Sequence, residues 1–430
     1  MYRVRGPSMH GTKRAYVIVG ASAAGMAAAT VIREMDRTGT VTVLSAESER
    51  PYFRPMIPFV ISGKKKPSDV FLENSGPYIQ SNIDIRLDAP VIRLDSEKGQ
   101  VEIEGGEIVP FDRLLIATGS RPYIPPEIEG NDQEGVYPLR TLSHAKSAAK
   151  RTGRAEKAIM IGGGLVNLKA AFALLEKGIS VTLVVYSPEV LSQLMEPKDA
   201  WLIRRILEEA GLKILTRRWV VKINANGSGV TSVVLNDRKK LSCDIVMIGK
   251  GVRPNAGFLK TSGVALDQGV IVDEFTRSSL PNVFAAGDVA VTFNPITGER
   301  IMTGLWTNAV EMGRCAAQNM VGKKVKYTGT FGIMNATQTA NLPFISMGIV
   351  HTQDCDVRVR RFEGAGTLRK LVFSKEEDRL LGVVFIGDIT NAGLYRLLIR
   401  EQRDIRPLKD AMFANRLHYG HLLPTTWMLP

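Results

Sequence analysis

Two segments of small residues have the composition of a phosphate-binding turn. The first is Gly20-Ala-Ser22-Ala-Ala-Gly25 and the second is Gly162-Gly-Gly164-Leu-Val-Asn167. Small residues allow the backbone to approach a pyrophosphate, and a helix that follows places the positive end of its dipole beside that charge. A single turn of this kind is weak evidence. Two copies in register indicate that the chain binds at least one dinucleotide.

The elements that must position these turns also occur twice. Each copy reads as a strand, the turn, a helix and a second strand, with the first at Tyr16–Val19, Met26–Arg37 and Val41–Leu44, and the second at Ala158–Ile161, Leu168–Lys177 and Val181–Val184. Strands that alternate with helices in this way are typical of parallel α/β sheets. The sequence therefore predicts an α/β protein with two Rossmann-like domains.

Two further apolar runs end in residues that suit a nucleotide site. Leu114–Gly119 predicts a buried strand that ends at a glycine, and Asn282–Asp288 predicts another that ends in Gly287 and Asp288. An acid at the carboxyl end of a strand can accept hydrogen bonds from the hydroxyls of a sugar-like chain. We expect Asp288 to take that position.

Composition limits the classes of function. With 430 residues and 44% hydrophobic content, the chain can bury several cores, so we expect several domains. The net charge of +13 can attract an acidic protein, nucleic acid or an anionic membrane surface, and its sign alone does not choose among them. The densest basic run, Lys64-Lys65-Lys66, is short and is typical of a solvated loop, so we do not expect nucleic-acid binding. We also expect no membrane span.

The cysteines indicate a reducing compartment and no metal. Cys243, Cys315 and Cys355 form no CxxC pair and no spacing typical of zinc or iron–sulfur ligands. A sparse, odd set of thiols is more typical of cytoplasmic than of exported proteins. We predict a cytoplasmic protein without a bound metal.

In order, these segments resemble the pyridine nucleotide-disulfide oxidoreductase family, within the branch of ferredoxin and rubredoxin reductases, nitrite reductase flavin domains and NADH oxidases. The resemblance covers about residues 14–410 and rests on five motifs: VIVGASAAG, PYFRP at 51–55, LLIATGSRP at 114–122, IGGGLVNLKAA at 161–171 and NVFAAGDVA at 282–290. It implies two Rossmann-like domains of the three-layer ββα type, the second inserted in the first. The implied boundaries are 14–120 and 252–325 for an FAD domain, 121–251 for an NAD(P) domain, and 326–430 for a C-terminal α+β domain that dimerises.

The same resemblance implies roles for individual residues. The FAD pyrophosphate would lie at Gly20, Ser22, Ala23, Ala24 and Gly25, the ribose at Glu47, and the ribityl chain at Gly287 and Asp288, with Ala117, Thr118 and Gly119 nearby. Arg54 and Pro55 would approach the flavin, and a helix that begins near Leu305 and Trp306 would direct its positive end at the ring. NADH or NADPH would contact Gly162, Gly164, Leu165, Val166 and Gly251.

The chain departs from the family at the place of the redox thiol and beside the flavin. Pro55 stands where thiol-dependent members have their cysteine, and a proline cannot attack a disulfide. Ferredoxin-reductase-like members pair a lysine with a glutamate near the flavin, and this chain has Phe59 and Lys169 at those places. The candidate catalytic residues are therefore Lys169, which would bring positive charge toward the flavin, and Arg54. A lysine that merely extends from an apolar helix is the alternative interpretation of Lys169.

The second turn also departs from the usual pattern. Asn167 replaces its third small residue, and Val185 stands where an acid usually holds the NADH ribose. We expect a damaged turn, and the choice between NADH and NADPH stays open.

Three functions remain open on the sequence. The first is an FAD-dependent NAD(P)H oxidoreductase that passes electrons to a protein acceptor, such as an acidic iron–sulfur carrier or a reductase subunit. The second is an NADH oxidase or small-molecule reductase. The third is an FAD electron-transfer subunit of a complex, with a degenerate nicotinamide site. In each case we expect a homodimer.

Overall fold

The first nucleotide-type unit is a five-stranded parallel sheet. In this computed structural model, which describes residues 13–74, 82–331, 333–353, 355–364 and 366–423, its strands are β1 (Ala15–Val19), β2 (Thr40–Leu44), β3 (Asp84–Arg86), β7 (Arg113–Ile116) and β19 (Val283–Ala285). The spatial order is β19-β7-β1-β2-β3, and every neighbouring pair is parallel. The last strand comes from far along the chain, so the chain returns to complete this sheet.

A second parallel sheet repeats the first. Its strands are β9 (Val136–Pro138), β10 (Lys157–Ile161), β11 (Ser180–Val185), β12 (Lys213–Thr216) and β16 (Ile245–Ile248). Their order is β12-β11-β10-β16-β9. Counted from the strand before each turn, four strands have the same spatial order in both sheets, β3-β2-β1-β7 and β12-β11-β10-β16, whereas the fifth strand follows them along the chain in the first sheet and precedes them in the second. The predicted α/β fold with an internal repeat is confirmed.

The helices that follow the two turns begin three residues earlier than predicted. They are α1 (Ala23–Met35) and α4 (Leu165–Leu175), so Gly25 and Asn167 lie inside the first helical turn. The prediction was wrong because it assigned the whole small-residue segment to the turn. In fact only the first part of each segment is irregular, and its last residue, Gly25 or Asn167, belongs to the helix.

Close packing of α1 depends on a glycine of another helix. The helix α6 (Trp306–Met320) lies along α1, and a Cβ on Gly313 would stand 2.2 Å from the carbonyl oxygen of Ala24. That separation is impossible for a side chain. The alanine-rich face of α1 and Gly313 together let α6 lie close enough to bring its N-terminus to the first sheet.

Two short antiparallel strands pair where the chain passes between the two sheets. They are β8 (Ser120–Pro122) and β17 (Val252–Pro254). Each sheet also has a three-stranded antiparallel appendage, made of β4 (Val91–Asp95), β5 (Gln100–Ile103) and β6 (Ile108–Pro110), and of β13 (Val220–Asn226), β14 (Gly229–Leu235) and β15 (Lys240–Ser242). The remaining small sheet contains β18 (Val270–Ile271), β20 (Ala290–Phe293) and β21 (Arg300–Ile301), and the connecting helices are α2 (Ile57–Ile61), α3 (Leu142–Thr152) and α5 (Pro197–Glu209).

The C-terminal region is an antiparallel α+β unit. Its strands are β22 (Ile333–Thr339), β23 (Leu342–Gly348), β24 (Val357–Gly364), β25 (Thr367–Ser374) and β26 (Leu380–Ile386), in the order β22-β23-β26-β25-β24. The helices α7 (Ala392–Glu401) and α8 (Lys409–Phe413) follow. Residues of α7 pack with the apolar face of the sheet in one core, so the sheet presents its other face to the second parallel unit.

A buried ion cluster joins that C-terminal sheet to the second parallel unit. Lys370 of β25 is fully buried, and its Nζ lies 3.0 Å from Glu196 and 3.4 Å from Asp199, at the start of α5. Arg361 of β24 pairs with the same Asp199. Among the described residues, no helix is both long enough and apolar enough to cross a bilayer.

Candidate functional site

One large cavity collects most of the residues that the sequence singled out. Its volume is about 990 Å³, and it is lined from the first sheet, from the second parallel unit and from the C-terminal sheet. The predicted residues in its wall are Gly20, Ser22, Ala23, Ala24, Glu47, Arg54, Pro55, Ala117, Thr118, Gly119, Leu165, Val166, Lys169, Gly287, Asp288, Leu305 and Trp306. Ligand pockets of proteins occupy about 300–1,000 Å³, so this cavity suits a large ligand.

The first small-residue turn forms one end of the cavity. Gly20 has a φ of +115°, and a Cβ there would stand 2.2 Å from the carbonyl oxygen of Ala117. Gly25 does not line the cavity, because it lies beneath the turn, where a Cβ would be 1.9 Å from the carbonyl oxygen of Gly20. These two glycines therefore hold the backbone in place. The first turn of α1 contains no acid, so its N–H groups can receive an anion.

A polar network connects the turn to the PYFRP segment. The Nε of Arg54 donates to Ser22 Oγ at 3.0 Å, and its terminal nitrogens donate to Tyr52 and Glu47. The Tyr52 hydroxyl donates in turn to Glu47 Oε2 at 2.7 Å. Burial alone would lower the pKa of Arg54, but Tyr52 and Glu47 outweigh it and raise that pKa. The cation is therefore permanent and pairs with Glu47, the residue expected to hold a ribose.

A second network surrounds Asp288. Its Oδ2 accepts hydrogen bonds from Ser120 Oγ at 2.9 Å and from Arg140 at 2.8 Å. Arg140 also donates to the carbonyl oxygen of Ser120, so the carboxylate is held from two sides. Sequence reasoning missed Arg140, because it stands alone in a stretch without a motif and reaches the site only through the fold.

The N-terminus of α6 opens into the same cavity. Leu305 precedes the helix, Trp306 is its first residue, and Trp306 stacks at a tilt on Phe53 with ring centroids 5.3 Å apart. The first turn of α6 contains no acid, so the positive end of its helix dipole faces the cavity, whose wall also includes the Asp288 carboxylate. We expected the N-terminus of this helix at the cofactor site. The close contact of Gly313 with α1 lets α6 bring Leu305 and Trp306 into the cavity wall.

The second turn keeps the geometry of the first, despite Asn167. Gly162 has a φ of +110°, and a Cβ there would stand 2.4 Å from the carbonyl oxygen of Gly249, as Gly20 does with Ala117. The Asn167 side chain is buried and donates to the carbonyl oxygens of Ile161 and Gly162 at 2.8 and 2.7 Å. Space for it exists because Gly249 has no side chain. The expectation of a damaged turn is therefore not met in the backbone.

The helix that starts at this turn enters the cavity of the first domain. Leu165, Val166 and Lys169 all line it. Burial lowers the pKa of Lys169, and no ion pair of this lysine occurs among the described residues. Phe59, which stands where ferredoxin-reductase-like members have a lysine, does not belong to the cavity wall and is 37% exposed. Its side chain therefore does not act in the site in place of that lysine.

Besides Gly25, three predicted residues lie outside the cavity wall. Gly162 and Gly164 stand at the mouth of α4 outside the cavity wall, and Gly251 is an exposed glycine with a φ of +94° just before β17. Gly164 has open space around it, so a ligand can approach the mouth of α4. The C-terminal sheet contributes Met334, Asn335 and Ala336 to the cavity, which no sequence motif marked.

The thiols are separate from the cavity. Burial raises the pKa of Cys243 to about 12 and that of Cys315 to about 11, and Cys355 is exposed. The wall of the cavity contains Pro55 and no cysteine. Among the described residues, no cluster of three or more metal-ligating side chains occurs either.

These features define a class of protein. The glycine turn of the first unit and the start of helix α4 of the second unit line one cavity, and the cavity contains acids for sugar hydroxyls and helix N-termini for charge. Such a cavity fits FAD. The architecture is that of a flavin-dependent oxidoreductase with two dinucleotide-binding domains.

The comparisons with known proteins agree. Residues 14–313 match the model of the pyridine nucleotide-disulphide oxidoreductase family, and the chain belongs to that family. It is 30% identical to the NADH-dependent phenylglyoxylate dehydrogenase subunit epsilon of Aromatoleum evansii, over 96% of this chain and 98% of that protein. It is 28% identical to an NADH oxidase of Methanocaldococcus jannaschii, over 86% and 87% of the two chains.

A further relative is named for a ferredoxin, and a further similar protein has a solved structure. The chain is 26% identical to a 3-phenylpropionate/cinnamic acid dioxygenase ferredoxin–NAD(+) reductase component of Photorhabdus laumondii, over 91% of this chain and 95% of that protein. An NAD-dependent persulfide reductase from A. fulgidus superposes with a TM-score of 0.83 at 25% identity, over 92% of this chain and 78% of that one. The protein is an FAD-dependent NAD(P)H oxidoreductase. When bound, FAD accepts a hydride and can release electrons singly or in pairs.

Proposed function

We propose that this chain passes electrons through FAD between a nicotinamide nucleotide and a partner protein, without a thiol relay. The partner would be an iron–sulfur protein or another subunit of the same complex. The observation that carries the proposal is the cavity itself, which joins both nucleotide units and contains Pro55 where a thiol relay would need a cysteine.

The relatives support a protein partner. One of them is named as a subunit of a dehydrogenase, and it matches this chain almost from end to end. Another is named as the reductase component for a ferredoxin. The net charge of +13 favours an acidic carrier, since opposite charges accelerate encounter between proteins.

The residues of the chain have separate tasks in this proposal. The turn at Gly20 and Ser22 receives the pyrophosphate of FAD, and Asp288, fixed by Ser120 and Arg140, accepts hydrogen bonds from hydroxyls of the ribityl chain. Glu47 accepts from the ribose, while Arg54 holds that carboxylate in place. The mouth of α4 at Gly164 receives the nicotinamide nucleotide.

Lys169 sets the charge of the site. It replaces an expected anion, it lies in the cavity wall, and its surroundings lower its pKa through loss of water. A cation beside a flavin stabilises the reduced, anionic form and so raises the reduction potential. Phe59 lies outside the cavity wall, so Lys169 supplies the lysine cation beside the flavin.

An oxidase function is the second candidate, and the match to an NADH oxidase favours it. The third, a subunit with a degenerate nicotinamide site, rests on Asn167 and Val185. The Asn167 side chain donates hydrogen bonds within the second turn, which argues against it, whereas Val185 supplies no acid for a ribose, which argues for it. Subunit membership and a working nicotinamide site are compatible.

Anaerobic mixing of the holoprotein with NADH or NADPH tests the proposal. Bleaching of the flavin is expected, followed by fast reoxidation when an oxidised 2Fe–2S ferredoxin is added and slow reoxidation by air. Fast oxygen consumption without the carrier would favour the oxidase instead. A flavin that stays yellow with both nucleotides would refute nicotinamide-dependent activity altogether.

We also propose a homodimer and a cytoplasmic location. The C-terminal sheet would form a homodimer interface, and sedimentation velocity that finds only a monomer contradicts this. The free thiols of Cys243, Cys315 and Cys355 support a reducing compartment such as the cytoplasm.

A further inference from the structure

Three residues that follow strands β11, β12 and β16 lie at one edge of the second sheet. Tyr186 comes directly after β11, Arg217 directly after β12 and Lys250 two residues after β16. Carboxyl ends of parallel strands share an edge, which is also the edge that carries the Gly162 turn and the mouth of α4. This is the edge at which a dinucleotide binds in such sheets.

Contacts link these residues through Tyr186 and its neighbour Ser187. The N–H of Arg217 donates to the carbonyl oxygen of Ser187 at 3.2 Å, so its backbone lies beside the residue after Tyr186. The rings of Tyr186 and Trp219 are 5.5 Å apart, and Lys250 Nζ lies 5.3 Å from the centre of the Tyr186 ring. Tyr186 is 64% exposed and Trp219 is 44% exposed, so both rings remain accessible to a ligand.

The charges at this edge are positive and partly without a protein partner. Arg218 pairs with Asp237 at 2.8 Å, but the exposed side chain of Arg217 has no ion pair among the residues that the structure describes. Lys250 has one nearby acid, Glu127, and burial lowers its pKa more than that acid raises it. Two cations thus stand against a single neighbouring acid.

An acceptor for a ribose hydroxyl is missing at the end of β11. Val185 is buried and apolar, and the nearest acid along the chain, Glu189, is engaged by Arg204 at 2.9 Å. Nucleotide sites of this type use an acid at this place for the 2′-hydroxyl of NAD and an arginine for the 2′-phosphate of NADP. A phosphate also forms the stronger, charge-assisted hydrogen bonds with a guanidinium.

We propose that Arg217 and Lys250 bind the adenosine 2′-phosphate of NADPH, with Tyr186 and Trp219 as the aromatic surface for the adenine. The proposal rests on the nicotinamide-dependent function proposed above and assigns its nucleotide. NADPH is then the preferred partner of the flavin, in contrast to the relative named as NADH-dependent.

The ratio of kcat/KM for NADPH over NADH tests this, measured by anaerobic flavin reduction of the holoprotein. The expected ratio for the wild type is at least about tenfold, which corresponds to about 1.4 kcal/mol. Arg217→Asn and Lys250→Gln should each reduce the ratio about tenfold. Asparagine suits position 217, because the backbone there has a φ of +55°, which asparagine tolerates.

Lys213→Gln is the matched control, since Lys213 is an exposed lysine at the opposite end of the same strand β12. Its ratio should equal that of the wild type. Adenosine 2′,5′-bisphosphate should also inhibit at a concentration about tenfold lower than 5′-AMP does. A wild type that prefers NADH, or a ratio that Arg217→Asn leaves unchanged, overturns the assignment while leaving the oxidoreductase function in place. Flavin that neither nucleotide reduces overturns both.

Discussion

Replacing Lys370 with methionine is expected to lower the free energy of unfolding by about 3 kcal/mol. Its side chain is fully buried with Glu196 and Asp199, which are 6% and 0% exposed. Removing one member of a buried ion group leaves the others uncompensated, at a cost of about 3–5 kcal/mol. The lower end applies because Asp199 keeps Arg361. Glu196 likewise keeps two hydrogen bonds from Thr352.

Urea denaturation followed by tryptophan fluorescence measures this effect. Trp201 lies two residues from Asp199 and is half-exposed, so it reports on the interface between the second parallel unit and the C-terminal sheet. With a slope of about 3 kcal/mol/M, the first transition should move to lower urea by about 1 M.

The control for this measurement is Lys375→Met. Lys375 pairs with Asp356 at 2.8 Å, but the two side chains are 58% and 72% exposed. Exposed pairs contribute about 1 kcal/mol or less, so the midpoint should barely move. If the two variants lose the same stability, the buried cluster does not hold the domains together and the reasoning is wrong.

Three further outcomes are expected. Gly25→Val should yield protein without bound flavin, because a Cβ there would stand 1.9 Å from the Gly20 carbonyl oxygen. The control is Gly393→Ala, whose new Cβ meets no atom within 4 Å, and this variant should keep its yellow colour and its flavin absorbance. Burial tends to raise the pKa of Glu196, but hydrogen bonds from neighbouring groups outweigh it and hold that pKa at about 2, below its ordinary 4.5. Ionised Glu196 therefore contributes up to about 3 kcal/mol to the free energy of unfolding. This contribution is complete above pH 4.5 and is lost as the pH falls toward 2. Glu196→Gln should remove this part of the pH dependence from the urea midpoints, and an identical acid profile for the variant and the wild type argues against it. Lys169→Glu should lower the midpoint potential of the flavin in a redox titration. Lys177→Glu, beyond the far end of the same helix, should leave that potential unchanged. An unchanged potential in the first variant means that Lys169 only extends from the helix toward solvent.

The sequence by itself determined the fold class and the two nucleotide units. The reason is local, because a glycine turn between a strand and a helix needs particular residue types at particular spacings, and these are visible at Gly20 and Gly162 without any knowledge of the fold. The motif that ends at Asp288 was visible for the same reason. The helix starts were placed three residues too late, since small residues suit both a turn and the first turn of a helix.

Only the tertiary structure decided which groups surround the cavity and how they are held. Arg140 reaches Asp288 across 148 positions of the chain, and Asn167 fits its turn only because Gly249 lies opposite. The placement of Tyr186, Arg217 and Lys250 at one edge depends on the order of three strands in the sheet. Contacts of this kind arise from strand order and packing between distant segments, and residue spacing along the chain does not encode them in a form that can be read locally.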